Sequence, residues 1–237
     1  MSSERLIRTE ALLGPAAMAR LAAAHILLVG LGGVGGHAFD ALVRSGIGHL
    51  TVCDHDTVSE SNLNRQMLAS LKTVGRLKTE VAVEHAARLS DSTEVRPLAE
   101  RLTPEGAEAL LATADFDLVI DAIDDVEAKV ALALAAGQRG IPILSCLGTG
   151  NRLDPGALRF TDIENTSGCP LARAVRTRLR RAGGAPLRVL VSDEPPRSPL
   201  LPGVSVASSA FVPAAAGLRL AAEAVRLLTL EKEEEFG

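Results

Sequence analysis

The chain has 237 residues, room for one α/β domain with a full core or one domain plus an extension. Hydrophobic residues make up 47% of it, yet Trp and Tyr are absent and only five Phe occur, which nearly excludes base stacking on aromatic platforms. A net charge of −4 argues against a generally basic nucleic-acid binder, though not against one local patch.

The three cysteines, Cys53, Cys146 and Cys169, show no CxxC spacing, which argues against structural zinc and fits a reducing compartment. The N-terminus, MSSERLIRTE, is charged and lacks a signal-type apolar run. The longest apolar stretch near the C-terminus is interrupted by Arg219, Glu223 and Arg226, so no membrane span is expected. The expectation is a soluble, cytoplasmic protein.

Residues 1–24 read as a short helical lead-in carrying Arg5 and Arg8. The stretch HILLVGLGGVGG (25–36) follows, an apolar run leading straight into Gly30, Gly32, Gly33 and Gly35. Such a run reads as a buried parallel strand, with a helix after it to about residue 45. Glycines at that junction let a phosphate approach bare amides at the positive end of the helix. The pattern also satisfies G-x-G-x-x-G, so by itself it does not separate NAD, FAD and ATP.

HLTVCD (49–54) reads as a second strand ending at Asp54, an acid placed to bond a ribose hydroxyl. DTVSESNLNRQ (56–66) is polar and departs from an ordinary dinucleotide fold. A helix is expected over 76–89, a strand over 94–98 and a helix over 103–111 with Thr103 as N-cap. A fourth strand ends near Asp121, Asp124 opens a helix to about residue 138, and 141–148 forms a fifth strand.

This alternation predicts an α/β fold: a Rossmann-like, doubly wound, mainly parallel sheet with helices on both faces. In such sheets ligands sit at the carboxyl ends of the strands, where Gly30, Asp54 and Asp124 all fall. The composition shifts after residue 150, so residues 1–150 are read as the core and 151–237 as a C-terminal α/β extension of the same domain. In the extension, 158–163 and 187–193 read as strands flanking a helix over 169–182. Leu171, Val175 and Leu179 mark its buried stripe, and Arg173, Arg176 and Arg180 share another face. Six arginines and no acid occur between residues 165 and 192. A proline-rich loop (193–203), a long Ala/Leu helix (214–230) and a solvated acidic tail, EKEEE, complete the chain.

Beyond Asp54 the chain supplies Asn62, Arg65, Gln66 and Lys78, then Asp124. A dinucleotide dehydrogenase needs no Arg and Lys there, because backbone amides serve its pyrophosphate. A triphosphate, with about three to four negative charges, needs cations and usually a metal ion. This combination points to ATP, with an NAD-binding oxidoreductase and a nucleotide-sensing scaffold as rivals.

The segments GLGGVG (30–35), DHD (54–56), SNLNRQ (61–66), GRLK (75–78) and DAID (121–124) resemble the ThiF/MoeB/HesA superfamily of ubiquitin-activating-type adenylyltransferases. The resemblance implies ATP–Mg²⁺ binding and transfer of AMP to a carboxylate. It implies that the glycine loop holds the phosphates, Asp54 the ribose, Asn62, Arg65 and Lys78 the triphosphate, and Asp124 the magnesium. Arg65, Lys78 and Asp124 are thus the expected catalytic residues, and Asp56 and Gln66 join the cofactor-binding set through their motifs. It also implies a homodimer in which an N-terminal arginine, Arg5 or Arg8, enters the partner's site. A monovalent cation (Na⁺ or K⁺) near the glycine loop and a sulfur-transfer protein are further candidates, with no motif of their own in this chain.

Carrier-activating members usually have two CxxC pairs, and many have a thioester-forming cysteine; neither appears here. GTGNRLDP (148–155), FTDI (160–163), CPLARAVR (169–176), VSDE (191–194) and SAFVPAAAG (209–217) are more similar to the tRNA threonylcarbamoyladenosine dehydratases. That resemblance implies adenylation of the threonyl carboxylate on a modified adenosine in tRNA, then ring closure with AMP release. The alternative is activation of the C-terminus of a small sulfur-carrier protein. The arginines of 173–188 are expected to contact tRNA phosphates.

Overall fold

In a computed structural model, residues 4–184 and 187–230 are described. Helices α1 (Ile7–Leu13) and α2 (Pro15–Ala23), parted at Gly14, precede strand β1 (His25–Val29). The chain continues with α3 (Gly35–Ser45), β2 (His49–Cys53), α4 (Lys78–Ala87), β3 (Glu94–Leu98), α5 (Ala107–Leu111) and β4 (Leu118–Asp121). Then follow α6 (Val126–Gln138), β5 (Ile143–Cys146), β6 (Leu158–Asp162), α7 (Pro170–Arg181), β7 (Arg188–Ser192) and α8 (Phe211–Thr229).

Among the described residues seven strands form one sheet in the order β3-β2-β1-β4-β5-β7-β6, parallel except where β6 runs antiparallel to β7. The chain builds outward from β1 to β3 and returns to the other side of β1 at β4, so the order reverses between β1 and β4. A reversal of this kind opens a crevice at the carboxyl ends of the two strands. The central strands β1 and β4 are buried on both faces, as their unbroken apolar runs require. Ile26, Leu28, Val52 and Ile120 pack with α2, α3, α4 and α8. Leu27, Val29 and Val119 pack on the opposite face with α5 and α6. Val189 and Val191 meet α6 and α7.

Local details differ from the pattern in the sequence. The helix expected at residue 103 starts at Ala107, and Thr103 Oγ1 instead accepts from the Gly106 amide at 3.2 Å, capping the preceding turn. In α7, Ala172 rather than Leu171 completes the buried stripe with Val175 and Leu179, because Cys169 serves as N-cap and sets the phase. The last helix begins at Phe211, three residues early, since Pro213 fits its first turn. The acidic tail lies outside the described residues. Among the described residues no helix is long and apolar enough to cross a membrane.

Candidate active site

A cleft of about 890 Å³ opens at the carboxyl ends of β2, β1, β4 and β5. Gly30, Gly32, Gly33, Asp54, Asp56 and Asn62 line it, as do Arg65, Gln66, Lys78 and Asp124. Ten sequence-predicted positions are therefore brought to one place.

The glycine loop shows two uses of a missing side chain. A Cβ at Gly35 would stand 1.7 Å from the Gly30 carbonyl oxygen, so Gly35 is needed for the chain to turn into α3. A Cβ at Gly32 would meet nothing within 4 Å, so that position is bare toward the cleft. Asp54 braces the loop: its Oδ2 accepts from the Leu31 amide at 2.6 Å and its Oδ1 from the Asp56 amide at 2.8 Å. A carboxylate has about four lone-pair sites, so acceptor capacity remains for a sugar hydroxyl.

Lys78 begins α4, and its side chain is 5% exposed. Its Nζ lies 2.7 Å from Asp56 Oδ2 and 3.8 Å from Asp54 Oδ2. That bond from Lys78 holds the Asp56 carboxyl below the usual carboxylate range. Asp54, His55 and Asp56 bring ligand atoms within 4.8 Å of one another, but the Lys78 ammonium already sits against both carboxylates. A cation there would meet a like charge.

Asn62 is buried and closes a capping box, its Oδ1 accepting from the Ser59 amide at 3.1 Å. Arg65 is folded onto its own loop, donating to the Ser61 carbonyl at 2.8 Å and to Asn64 Oδ1 at 2.9 Å. These are surface bonds that an incoming phosphate can replace. Gln66 is buried. Asp124 is exposed and makes no hydrogen bond or ion pair among the described residues.

The two N-terminal arginines part company. Arg5 donates to the Val43 carbonyl at 3.1 Å and to Ser90 Oγ at 3.0 Å, fixing the lead-in to the end of α3, away from the cleft. Arg8 is exposed on α1 with no side-chain partner among the described residues. The arginine stretch is also less free than its composition suggests. Arg178 pairs with Glu127, Arg180 with Glu164 and Arg188 with Glu223, while Arg176 donates to the carbonyls of Ile163 and Thr166. Arg173 and Arg181 make no ion pair among the described residues.

Three features escape the sequence patterns. Asp121 and Lys129, both 0% exposed, form an ion pair with Nζ 2.8 Å from each carboxylate oxygen, and Ser145 Oγ donates to Asp121 at 2.6 Å. A lone lysine in an otherwise apolar stretch of α6, eight residues after a strand-end acid, is the signal that could have revealed it. Arg101 pairs with Asp125, the N-cap of α6, at 3.2 Å. Asn151, the one non-glycine residue of positive φ among those described, ties the loop after β5 to Ala207.

Cys53 and Cys146 are not set up as nucleophiles. Burial pushes the Cys53 and Cys146 thiols up to about 12. Cys169 is buried, with Sγ accepting from the Ala172 amide at 3.5 Å.

A family model described as the ThiF family matches residues 4–236. The tRNA threonylcarbamoyladenosine dehydratase of Bacillus subtilis is 34% identical over 230 residues, covering 89% of each protein. That of Haemophilus influenzae is 38% identical over 167 residues, 70% of this chain but 64% of the relative, so the matched chain falls short of that protein's full length. The crystal structure of the E. coli tRNA N6-threonylcarbamoyladenosine dehydratase in complex with AMP superimposes with a TM-score of 0.90 at 32% identity. It covers 95% of this chain and 94% of that one, and the same protein has a structure in complex with ATP.

Proposed function

The chain belongs to the ThiF family, and from that premise we propose that it is an ATP-dependent tRNA threonylcarbamoyladenosine dehydratase. The observation that carries this reading is the cleft itself. Asp54 and Lys78, the glycine loop and Asp124 face one cavity at the ends of β2, β1 and β4 in that spatial order.

A carboxylate is a poor electrophile because its leaving group would be oxide. Attack of one carboxylate oxygen on the α-phosphorus of ATP breaks the bond to the β-phosphate oxygen and releases pyrophosphate. The resulting acyl-adenylate then loses AMP to a nucleophile in the same side chain, closing a ring with net loss of water. Lys78 and Arg65 neutralise phosphate charge, the bare backbone at Gly32 admits the phosphates, and Asp54 fixes the ribose. The exposed, unpartnered carboxylate of Asp124 suits a hard cation, and Mg²⁺ held there supplies charge neutralisation to the triphosphate. Na⁺ or K⁺ near the glycine loop belongs to the same reading and is checked by cation replacement.

The remaining parts of the proposal follow from the surface. Residues 1–150 carry adenylation, and 151–237 supply substrate and dimer elements. Exposed Ile7 and Leu12 on α1, and Phe211 and Leu218 on α8, favour a homodimer, with Arg8 the arginine free to enter a partner's site. Arg173 and Arg181 are the residues open to tRNA phosphates. The location is cytoplasmic, where tRNA is found. A sulfur-transfer protein as partner rests on the resemblance alone.

Asp124→Asn tests the reading. It keeps size and fold, and AMP formation falls by roughly 10²-fold or more while modified tRNA stays bound. Normal AMP release from that variant removes Asp124 from the mechanism. AMP released only with a carrier protein ending in Gly-Gly moves the assignment to a sulfur-carrier adenylyltransferase.

A further inference from the structure

Arg152 lines the cleft beyond the end of β5 and is only 4% exposed. Its Nη1 donates to the carbonyls of Gly148 at 2.7 Å and Gly150 at 3.1 Å, and its Nε to that of Glu194 at 2.9 Å. Its Nη2 is buried and has no hydrogen-bond partner among the described residues. Nor does any carboxylate among them lie within ion-pair range. Glu194, whose carbonyl Arg152 holds, gives its own carboxylate to the amides of Leu153 and Asp154 at 2.8 Å and to Arg197 at 3.3 Å.

A buried guanidinium is ordinarily paired with an acid, because removing its charge from water is costly. Carbonyl dipoles offset part of that cost and leave a net positive charge with donors to spare. Clamping the loop requires only the three carbonyl bonds. A guanidinium on the wall of a cleft with no acid to neutralise it suits an anion entering that cleft.

The order of the strands says which anion. With ribose at Asp54 and phosphates over the glycine loop, the β4–β5 end of the cleft is left for the acid that attacks the α-phosphorus. Lys78 and Arg65 serve phosphate at the other end, and the remaining lining arginine, Arg101, is already paired with Asp125 at 3.2 Å.

We propose that Arg152 binds the substrate's carboxylate, the group that becomes adenylated. This rests on the dehydratase reading above. One carboxylate oxygen lies against Arg152 while the other attacks phosphorus and expels pyrophosphate. In the acyl-adenylate the held oxygen is the acyl carbonyl, so the same donor faces the negative charge that develops as the ring closes and AMP leaves.

The test compares two ligands: an anticodon stem-loop carrying threonylcarbamoyladenosine, and the same stem-loop with that carboxylate as a methyl ester. Both are titrated in the presence of an ATP analogue bridged by methylene between its α and β phosphates. The native protein binds the acid roughly ten- to a hundredfold tighter than the ester, the value of a charge-assisted hydrogen bond. In Arg152→Gln that preference collapses while affinity for the ATP analogue is retained. Should Arg152→Gln not fold, Arg152→Lys decides. It keeps the charge but lacks the nitrogens to hold three carbonyls and a carboxylate, so its preference for the acid also drops.

An undiminished preference in either folded variant overturns the proposal. So does a native protein that forms AMP from modified tRNA yet binds acid and ester alike. A native protein that forms no AMP from that tRNA overturns the dehydratase reading instead, and this inference falls with it.

Discussion

Two lysine–aspartate pairs lie at the strand ends on either side of β1, and their difference separates a part of the molecule that is closed on itself from a part that is open to the cleft. Lys129 and Asp121 are wholly buried, and between them Lys129, Ser145 and the Ile123 amide occupy both carboxylate oxygens. Lys78 is nearly as far removed from water, but its partner Asp56 is 52% exposed and Asp54 stands back at 3.8 Å. The first pair is closed and has nothing to offer a ligand. The second is open on the cleft side, where on the proposed reading phosphate takes the place of Asp56. The same division recurs between Gly35 and Gly32, and between Arg5 and Arg8.

The sharpest way to break this comparison is to remove each lysine. Lys129→Met leaves Asp121 buried and uncompensated, a loss of about 3–5 kcal/mol of stability readable by denaturant titration. Lys78→Met leaves Asp56 open to water and Asp54 with its two backbone amide bonds, so its stability changes less, while the rate of AMP formation falls roughly 10²–10³-fold. Equal stability losses in the two variants would erase the distinction.

The glycines give the next largest contrast. Gly35→Ala drives a methyl group into the Gly30 carbonyl and disrupts the turn into α3, so little folded protein is expected by circular dichroism. Gly32→Ala has room and keeps its melting temperature, yet loses ATP affinity because the methyl group occupies the phosphate approach.

For the arginines, Arg5→Ala costs about 1 kcal/mol of stability through its lost hydrogen bonds and leaves turnover intact. Arg8→Ala leaves stability alone and abolishes activity, and mixing it with Lys78→Met subunits restores activity by forming one intact site per dimer. No recovery on mixing would place Arg8 outside the partner's site.

The smallest effect concerns pH. Hydrogen bonding from Lys78 holds Asp56 below its ordinary value. Its contribution to stability is therefore present above the ordinary carboxylate range, near pH 4, and is lost as pH falls through the lowered value. Asp56→Asn should flatten that acid limb, as measured by melting temperature against pH.

Periodicity and glycine placement made the strand order's logic legible, because buried parallel strands read as apolar runs and their carboxyl ends carry the polar residues. What stayed hidden was which polar group satisfies which. Arg5 and Arg8 look alike in the sequence, but only the folded chain brings Ser90 and Val43 to one of them. The arginines of α7 were read as a patch since their acids, Glu127, Glu164 and Glu223, come from other elements. Arg152 sits in a polar loop, and nothing in its neighbours announces that its guanidinium is buried without an acid.

The central claim is that this cleft adenylates the carboxylate of a tRNA-borne threonylcarbamoyladenosine. Mass spectrometry of nucleosides from such tRNA, incubated with the protein, ATP and Mg²⁺, tests it most directly when AMP is quantified in parallel. The account predicts a modified adenosine lighter by one water, with AMP appearing in step. An unchanged nucleoside mass with no AMP released would contradict it.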